Sequence, residues 1–449
     1  MDQSKNMKLT LGALTIPIFL ELLLGILIQN VDLFMLSKYH EDAVAAIGAA
    51  NRILLMVIVM FGFIGSGTTI VLSRMMGAGQ SDDAEEAAVV SLVANSIIGV
   101  LFSLLLWQGA GTFLNFMDLT PNVHSMAEGY LKVVGGFLFL QAVILTINAI
   151  LKSHGHTKQI LYASIMMNLI NVFGNYILIF GQFGLEPMGT DGAALSTVVA
   201  RLITSVALYF ILIKTIGHAL PFARLLSMPS AHLKKILSIG IPSAGEYFTY
   251  LSAQFVVFFF ITTMGTQSIT TQIYVQTIME LVFIISTSLA NGTKIIIGHH
   301  IGAKRYGDAY KQCIQSFKWG AVFTITATLF LWMLSKPIIG LFTESTTVQS
   351  GFSLLLLMAV VFEPARMFYL IGINALRAVG DARYTFYVAA IFMWGIGVPL
   401  SYALGVHFSL GLVGIWMAFI LDEWIRGVVI VRRWRSRSWV HPLKQNLSA

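Results

Sequence analysis

Three windows of this chain, residues 87–117, 159–185 and 384–421, contain no Asp, Glu, Lys or Arg. A helix that crosses a bilayer needs about 20 mostly apolar residues. The first two windows each hold one such span, and the third holds a span, a turn and part of the next. Across the chain only 11% of residues are charged and 57% are hydrophobic. A soluble fold of this length has too few charges here to cover its surface. The sequence therefore reads as an all-α polytopic membrane protein. Twelve apolar segments are expected, at 10–36, 44–72, 87–114, 130–151, 160–181, 190–213, 236–262, 270–297, 316–335, 352–376, 384–404 and 409–431. Turn residues such as Pro121, Pro187, Gly265 and Gly380 separate them. The first segment follows MDQSKNMK without a small-residue cleavage site, so it reads as a span and not a removable signal.

The second six segments repeat the first six at a constant offset in numbering. Pro17, Glu21 and Gln29 return as Pro242, Glu246 and Gln254 (242−17, 246−21 and 254−29 all give 225). Gly77-Ala78 returns as Gly302-Ala303 at the same offset. Leu151-Lys152 and Gly155 return as Leu376-Arg377 and Gly380. Duplicated six-span units are a transporter architecture, with the working site expected between the copies.

Lys and Arg counts orient the chain. Twenty lie on one set of connections, including Lys5, Lys8, Arg74, Lys152, Arg224, Lys304, Arg383 and the tail from Arg432 to Lys444. The other set has only Lys38, Lys132 and Lys336. The positive-inside bias then places both termini in the cytoplasm. Six spans per copy is an even number, so the repeats are parallel. The expected organisation is an N-lobe over 1–213, a cytoplasmic linker over 214–235 with His218 and Pro229, a C-lobe over 236–431 and a basic cytoplasmic tail over 432–449. The pI near 9.3 follows from these loop residues and does not indicate nucleic acid as a partner.

Ionisable groups inside spans cost about 2.5–3.5 kcal/mol on insertion scales, so each needs a reason. Asp32 sits roughly 6 Å inside the external end of segment 1, Asn175 roughly 9 Å inside segment 5 and Thr197 roughly 12 Å inside segment 6. Asn171 and Asn175 share one helix face. Two arrangements fit this spacing. Asp32, Asn171, Asn175 and Thr197 form an oxygen-rich site for H⁺ or a small cation such as Na⁺, or the amides and hydroxyl bridge helices while Asp32 pairs with Arg52. The second copy has Val257 at the position matching Asp32. Its polar groups Glu246, Glu280, Glu363 and Arg366, together with Glu21 of the first copy, suit either a substrate cavity with a second coupling site or buried networks that tie helices together. Glu363 and Arg366 are spaced to pair with each other, and Asp422, Glu423 and Arg426 to neutralise one another.

Other signals exclude function classes. Cys313 is alone, so no internal disulfide or multi-Cys metal site is possible. His299 and His300 are adjacent and do not share a helix face. The run GSGTT lies within a span and lacks the Lys of a P-loop. With no nucleotide-binding segment, no ATP-binding subunit is implied, and no Ser, His and Asp spacing supports an enzyme.

Several segments together resemble one family. They are TIPIFLELLLGILIQNVDLFMLSKY, SRMMGAGQSDDAEEA, NLINVFGNYILIFGQFGLEPMGTDGAALST, GIPSAGEY, HHIGAKRYGDAYK and EPARMFYLIGINALRAVGDARY. Each is similar to the MATE (multidrug and toxic compound extrusion) transporters, and the likeness spans the whole chain. The resemblance implies secondary active multidrug efflux. Organic, often cationic compounds would leave across the bacterial cytoplasmic membrane in exchange for H⁺ or Na⁺, by alternating access between two six-helix lobes and without a cofactor. It matches Asp32 to the family's first-helix acid, Asn171 to a helix 5 polar ligand and Thr197 to the helix 6 hydroxyl. DinF-like members carry Asp where this chain has Asn175, and the NorM-like form is closer here. Glu246 and Glu363 lie near acids used by NorM-like members without a register that equates them. A flippase for a lipid-linked or amphipathic metabolite is the alternative cargo class.

Overall fold

The computed structural model describes residues 9–217, 220–222 and 230–440. Lys5, Lys8, His218, Arg224, Pro229 and Lys444, used above for orientation and for the linker, lie outside the described residues. Among those residues the chain is helical throughout, with no strand.

The first copy contains α1 (Leu11–Tyr39), α2 (Glu41–Gly77), α3 (Ser81–Leu114), α4 (Pro121–Gly136), α5 (Phe139–Ser153), α6 (Thr157–Phe180) and α7 (Gly189–Ile216). The second contains α8 (Ser230–Thr262), α9 (Thr266–Gly302), α10 (Tyr306–Met333), the short α11 (Ser335–Gly340) and α12 (Thr346–Ala378). It ends with α13 (Ala382–Phe392), α14 (Val398–Ser401) and α15 (Gly411–Arg435). Among the described residues nine helical stretches are long and apolar enough to span a membrane, or ten when α4 and α5 count as one bent span. The two remaining long helices, α10 and α15, reach the length but not the apolarity. Asp422, Glu423 and Arg426 within α15 account for its shortfall. The helices overrun most of the expected segments by a few residues. The connection expected over 214–235 is shorter, since α7 continues to Ile216 and α8 begins at Ser230.

The repeat offset holds in three dimensions. The starts of α2 and α9 (266−41) and their ends (302−77) both differ by 225 in numbering. The starts of α3 and α10 (306−81) and of α6 and α13 (382−157) keep the same offset. The connections repeat as well: Gly155 and Gly380 follow α5 and α12 with φ of 80° and 88°. That region is open to glycine at little cost, so the repeated glycine is explained by the repeated turn.

The copies differ where their sequences differ. α4 and α5 meet at a 46° bend, and Gly135-Gly136 ends α4. Paired glycines are a common cause of such kinks. The matching pair in the second copy is Val360-Val361, and α12 runs unbroken through it. Conversely α6 is continuous, while the matching stretch contains π-helical segments Met393–Gly397 and Tyr402–His407.

The chain divides into two compact units, Leu20–Gly240 and Met1–Phe19 with Ile241–Ala449. The divisions fall inside α1 and α8, shortly after Pro17 and just before Pro242. In the first unit a core of Leu54, Phe61, Leu106, Leu131 and Leu138 joins α2, α3, α4 and the α4–α5 bend. At its centre Asn95 of α3 donates to Thr146 Oγ1 at 2.7 Å and reaches the carbonyls of Ala142 and Phe61. The second unit packs Leu289, Ile297, Phe317, Met367, Leu376 and Trp434 from α9, α10, α12 and α15.

Candidate functional site

Asp32 lies on α1 with its side chain part-buried. Asn175 of α6 donates from Nδ2 to Asp32 Oδ1 at 2.7 Å. One turn earlier, Asn171 donates from Nδ2 to Thr197 Oγ1 of α7 at 3.3 Å, and its Oδ1 lies 3.5 Å from Asn175 Nδ2. The four residues grouped by depth in the sequence therefore form one chain of hydrogen bonds across three helices. The close approach of α6 and α7 makes this possible. Ser196 donates to the Asn171 carbonyl at 2.8 Å, Gly174 sits against Ser196, and Gly192 sits against the Leu178 backbone.

The alternative pairing of Asp32 with Arg52 does not form. Arg52 is exposed, and no ion pair joins the two. Arg201 of α7 lies, with Thr197 and Asp32, in the surroundings of Tyr130. Sequence reasoning does not place Tyr130 or Arg201 with Asp32. Tyr130 is fully packed on α4, and its spacing carries no signal of that neighbourhood. Asn175 Oδ1 and Arg201 Nη1 are both buried without a hydrogen-bond partner. A carboxylate with an unused oxygen, an amide oxygen and a hydroxyl oxygen provide ligands for a proton or a small hard cation.

Glu21 and Glu246 stand elsewhere. Glu21 is eleven residues before Asp32 on α1, roughly 16 Å along the axis. Its Oε2 pairs with Lys152 Nζ of α5 at 3.0 Å. Glu246 of α8 pairs with Arg377 of α12 at 2.7 Å and accepts from Tyr369 Oη at 3.2 Å. Both members of the pair repeat at the common offset (246−21 and 377−152 both give 225), so each unit contains the same ion pair. All four residues recur visibly in the sequence, but spacing alone does not join them.

Glu280, Glu363 and Arg366 come together in the second unit. Arg366 donates to both oxygens of Glu363, which is fully buried. The guanidinium lies over the rings of Phe283 and Phe362, at 4.9 and 5.1 Å. A cavity of about 360 Å³ is bounded here by Arg366, the exposed Glu280, Glu423, Gln276 and the rings of Tyr250 and Trp416. Its walls offer aromatic surface with charges of both signs, the make-up of a small-molecule site. Beside it Arg426 bridges Asp422 at 2.7 Å and Glu423 at 2.8 Å. Among the described residues no group of three or more His, Cys, Asp or Glu is arranged to hold a metal ion.

Comparison with known proteins agrees with this architecture. The MatE family profile matches residues 17–177 and again 242–403, two stretches whose starts keep the repeat offset (242−17). An uncharacterized transporter of Bacillus subtilis, YisQ, is 43% identical over 431 residues, covering 96% of this chain and 95% of that protein. A probable multidrug resistance protein NorM of Neisseria meningitidis is 24% identical over 424 residues, covering 94% and 92%. Among solved structures, a MATE in the straight conformation superposes with a TM-score of 0.87 at 20% identity, covering 97% and 96%. An outward-facing multidrug resistance MATE family transporter does so at 0.84, also at 20% identity and the same coverage. The profile covers both halves and one relative is similar along nearly its whole length: the chain belongs to the MatE family of membrane transporters.

Proposed function

We propose that this chain is a secondary active multidrug exporter of a bacterial cytoplasmic membrane. It exchanges organic, often cationic compounds for H⁺ or Na⁺ by alternating access. The observation that carries the reading is the hydrogen-bonded chain from Asp32 through Asn175 and Asn171 to Thr197, set in helices long and apolar enough to span a membrane. An acid at that depth is costly unless it is used. The coupling ion binds at Asp32, and the occupancy of Asp32 biases which side of the membrane is open. Relatives named for multidrug resistance support the cargo class. The aromatic cavity beside Arg366 and Glu280 is a second place where cargo contacts the chain.

The test is reconstituted dye efflux driven in turn by an imposed pH gradient and an imposed Na⁺ gradient. Efflux under one of them is expected. Efflux under neither, from folded protein, removes the reading.

One observation favours amphipathic cargo as a second reading. A groove of about 620 Å³ on the first unit is bounded by apolar side chains such as Ile97, Leu101, Val143 and Phe210, which suits an acyl tail. Transbilayer movement of a labelled lipid, with no dye efflux, would select that cargo.

A further inference from the structure

We propose that Asp422 and Glu423 share one exchangeable proton, forming an ion site of the second unit that is distinct from the Asp32 site. The site stands on its own geometry, and only its use in transport rests on the function proposed above.

The charges in this cluster do not balance. Glu363, Asp422 and Glu423 bring three carboxylates, and Arg366 and Arg426 bring two guanidiniums. Glu363 is satisfied by Arg366 at both oxygens. Asp422 and Glu423 must then share Arg426, through Asp422 Oδ2 and Glu423 Oε1. Their other oxygens, Asp422 Oδ1 and Glu423 Oε2, are buried and have no hydrogen-bond partner, and neither has Arg426 Nη1. Each of the two residues is only 6% exposed. Ionising both leaves one uncompensated charge on largely buried groups, an unfavourable state. One proton taken from bulk water onto either carboxylate removes that charge.

The surroundings favour a proton over a metal ion. Asp422, Glu423, Arg426, Tyr250, Gln254 and Val257 enclose a cavity of about 30 Å³. That is room for about one water molecule; Glu423 also lines the larger cavity, which it shares with Arg366. The Arg426 guanidinium lies against the same two carboxylates, where it would repel a metal ion. Gly397, in a π-helical turn, packs on Asp422, and a Cβ there would lie 3.2 Å from Cγ of the carboxyl. Water passing one at a time suffices to deliver a proton. The groups facing Glu423 are Asp422 and Arg426 of α15, Glu363, Arg366 and Tyr369 of α12, and Tyr250 of α8. Glu280 of α9 faces it across the larger cavity.

The internal repeat supports the same assignment independently. Asp422 matches Thr197 and Arg426 matches Arg201 at the repeat offset (422−197 and 426−201 both give 225). Val257, the match of Asp32, lines this cavity. The first copy brings its acid to this level on α1. The second has Val257 in place of that acid and carries one on α15 instead, at the position matching Thr197.

Infrared difference spectroscopy of the purified full-length protein, titrated from high to low pH, tests the proposal through the carbonyl stretch of protonated carboxyls. Wild type should show a titrating buried-carboxyl band that survives in Asp32→Asn. That band should be lost in Glu423→Gln and weakened or shifted in Asp422→Asn. It should weaken or move to lower pH in Glu363→Gln, which frees Arg366 to offset a second carboxylate, and be unchanged by added Na⁺. No band in Asp32→Asn overturns the proposal without recourse to any α15 variant, which keeps the test decisive if one of them fails to fold. Persistence of the band in both α15 variants, or its removal by Na⁺ at fixed pH, also overturns it. Loss of the Asp32 band alone would bear only on the function proposed above.

Discussion

Asn175 of α6 holds one oxygen of Asp32 on α1 at 2.7 Å and leaves the other available. An amide in this role orients the acid without competing for its charge, because it cannot titrate. The first unit is thereby left with a single acid in its polar group. If one monovalent cation leaves for each H⁺ or Na⁺ that enters, no net charge crosses the membrane, and the potential contributes nothing to efflux.

Asn175→Asp places a second acid against the first. The variant is expected to take up a second proton per cycle and to gain dependence on membrane potential. The gain is about 2.3 kcal/mol per 100 mV, or roughly fifty-fold in the accumulation ratio. Dye accumulation in proteoliposomes clamped with potassium and valinomycin checks this. An accumulation ratio that ignores the potential in the variant would show that position 175 does not contribute to coupling.

Glu246→Gln is expected to destabilise the protein more than Glu21→Gln, although the two ion pairs are equivalent in the repeat. Glu246 and Arg377 are the more buried pair, with side chains 6% and 12% exposed against 18% and 23% for Glu21 and Lys152. Removing one partner of a buried pair costs about 3–5 kcal/mol. The wetter pair should cost about 1–2 kcal/mol, between the surface and buried ranges. Thermal unfolding in detergent ranks them. Swapping charges in both members, Glu246→Arg with Arg377→Glu, should recover part of the loss. Equal losses for the two pairs would mean burial does not set their strength.

Gly192→Ala tests the packing that brings Thr197 to Asn171. An added Cβ would lie 2.7 Å from the carbonyl carbon and oxygen of Leu178. Backbone atoms there cannot yield as a flexible side chain would. A loss of about 1–3 kcal/mol is expected, together with weaker ion coupling as α7 is pushed from α6. Unchanged stability and coupling would show that the α6–α7 contact does not hold the site.

Much of this was legible in the sequence, for reasons that can be named. The repeat was visible because the turn residues keep their spacing, and the helix ends follow it. Asp32, Asn175, Asn171 and Thr197 could be grouped because depth along an apolar helix is simple arithmetic and the two amides lie one turn apart. The partners of Glu21 and Glu246 were hidden because each is 131 residues away in the chain. Spacing along one helix gives no hint of such a contact. The α4–α5 bend was available in Gly135-Gly136 but is invisible to apolar counting. The α15 charges were expected to neutralise one another. Arg426 does reach both acids, but one guanidinium charge cannot offset two carboxylates, and the buried oxygens left without a partner appear only in the structure.

Substrate and coupling ion should oppose each other at equilibrium. Ethidium binding to the purified protein is expected to weaken as the coupling ion is raised, and the ion should weaken in the same ratio as ethidium is raised, since linkage is reciprocal. Fluorescence titrations across a matrix of both ligands measure this. Affinities that are mutually independent would separate the two processes.

The most direct measurement compares dye efflux from proteoliposomes containing wild type and Asp32→Asn, at equal protein density, under imposed pH and Na⁺ gradients. Asp32 as the coupling residue predicts gradient-driven efflux from the wild type and none above the protein-free leak from folded, inserted Asp32→Asn. Wild-type efflux rates from the Asp32→Asn protein under the same gradient would contradict it.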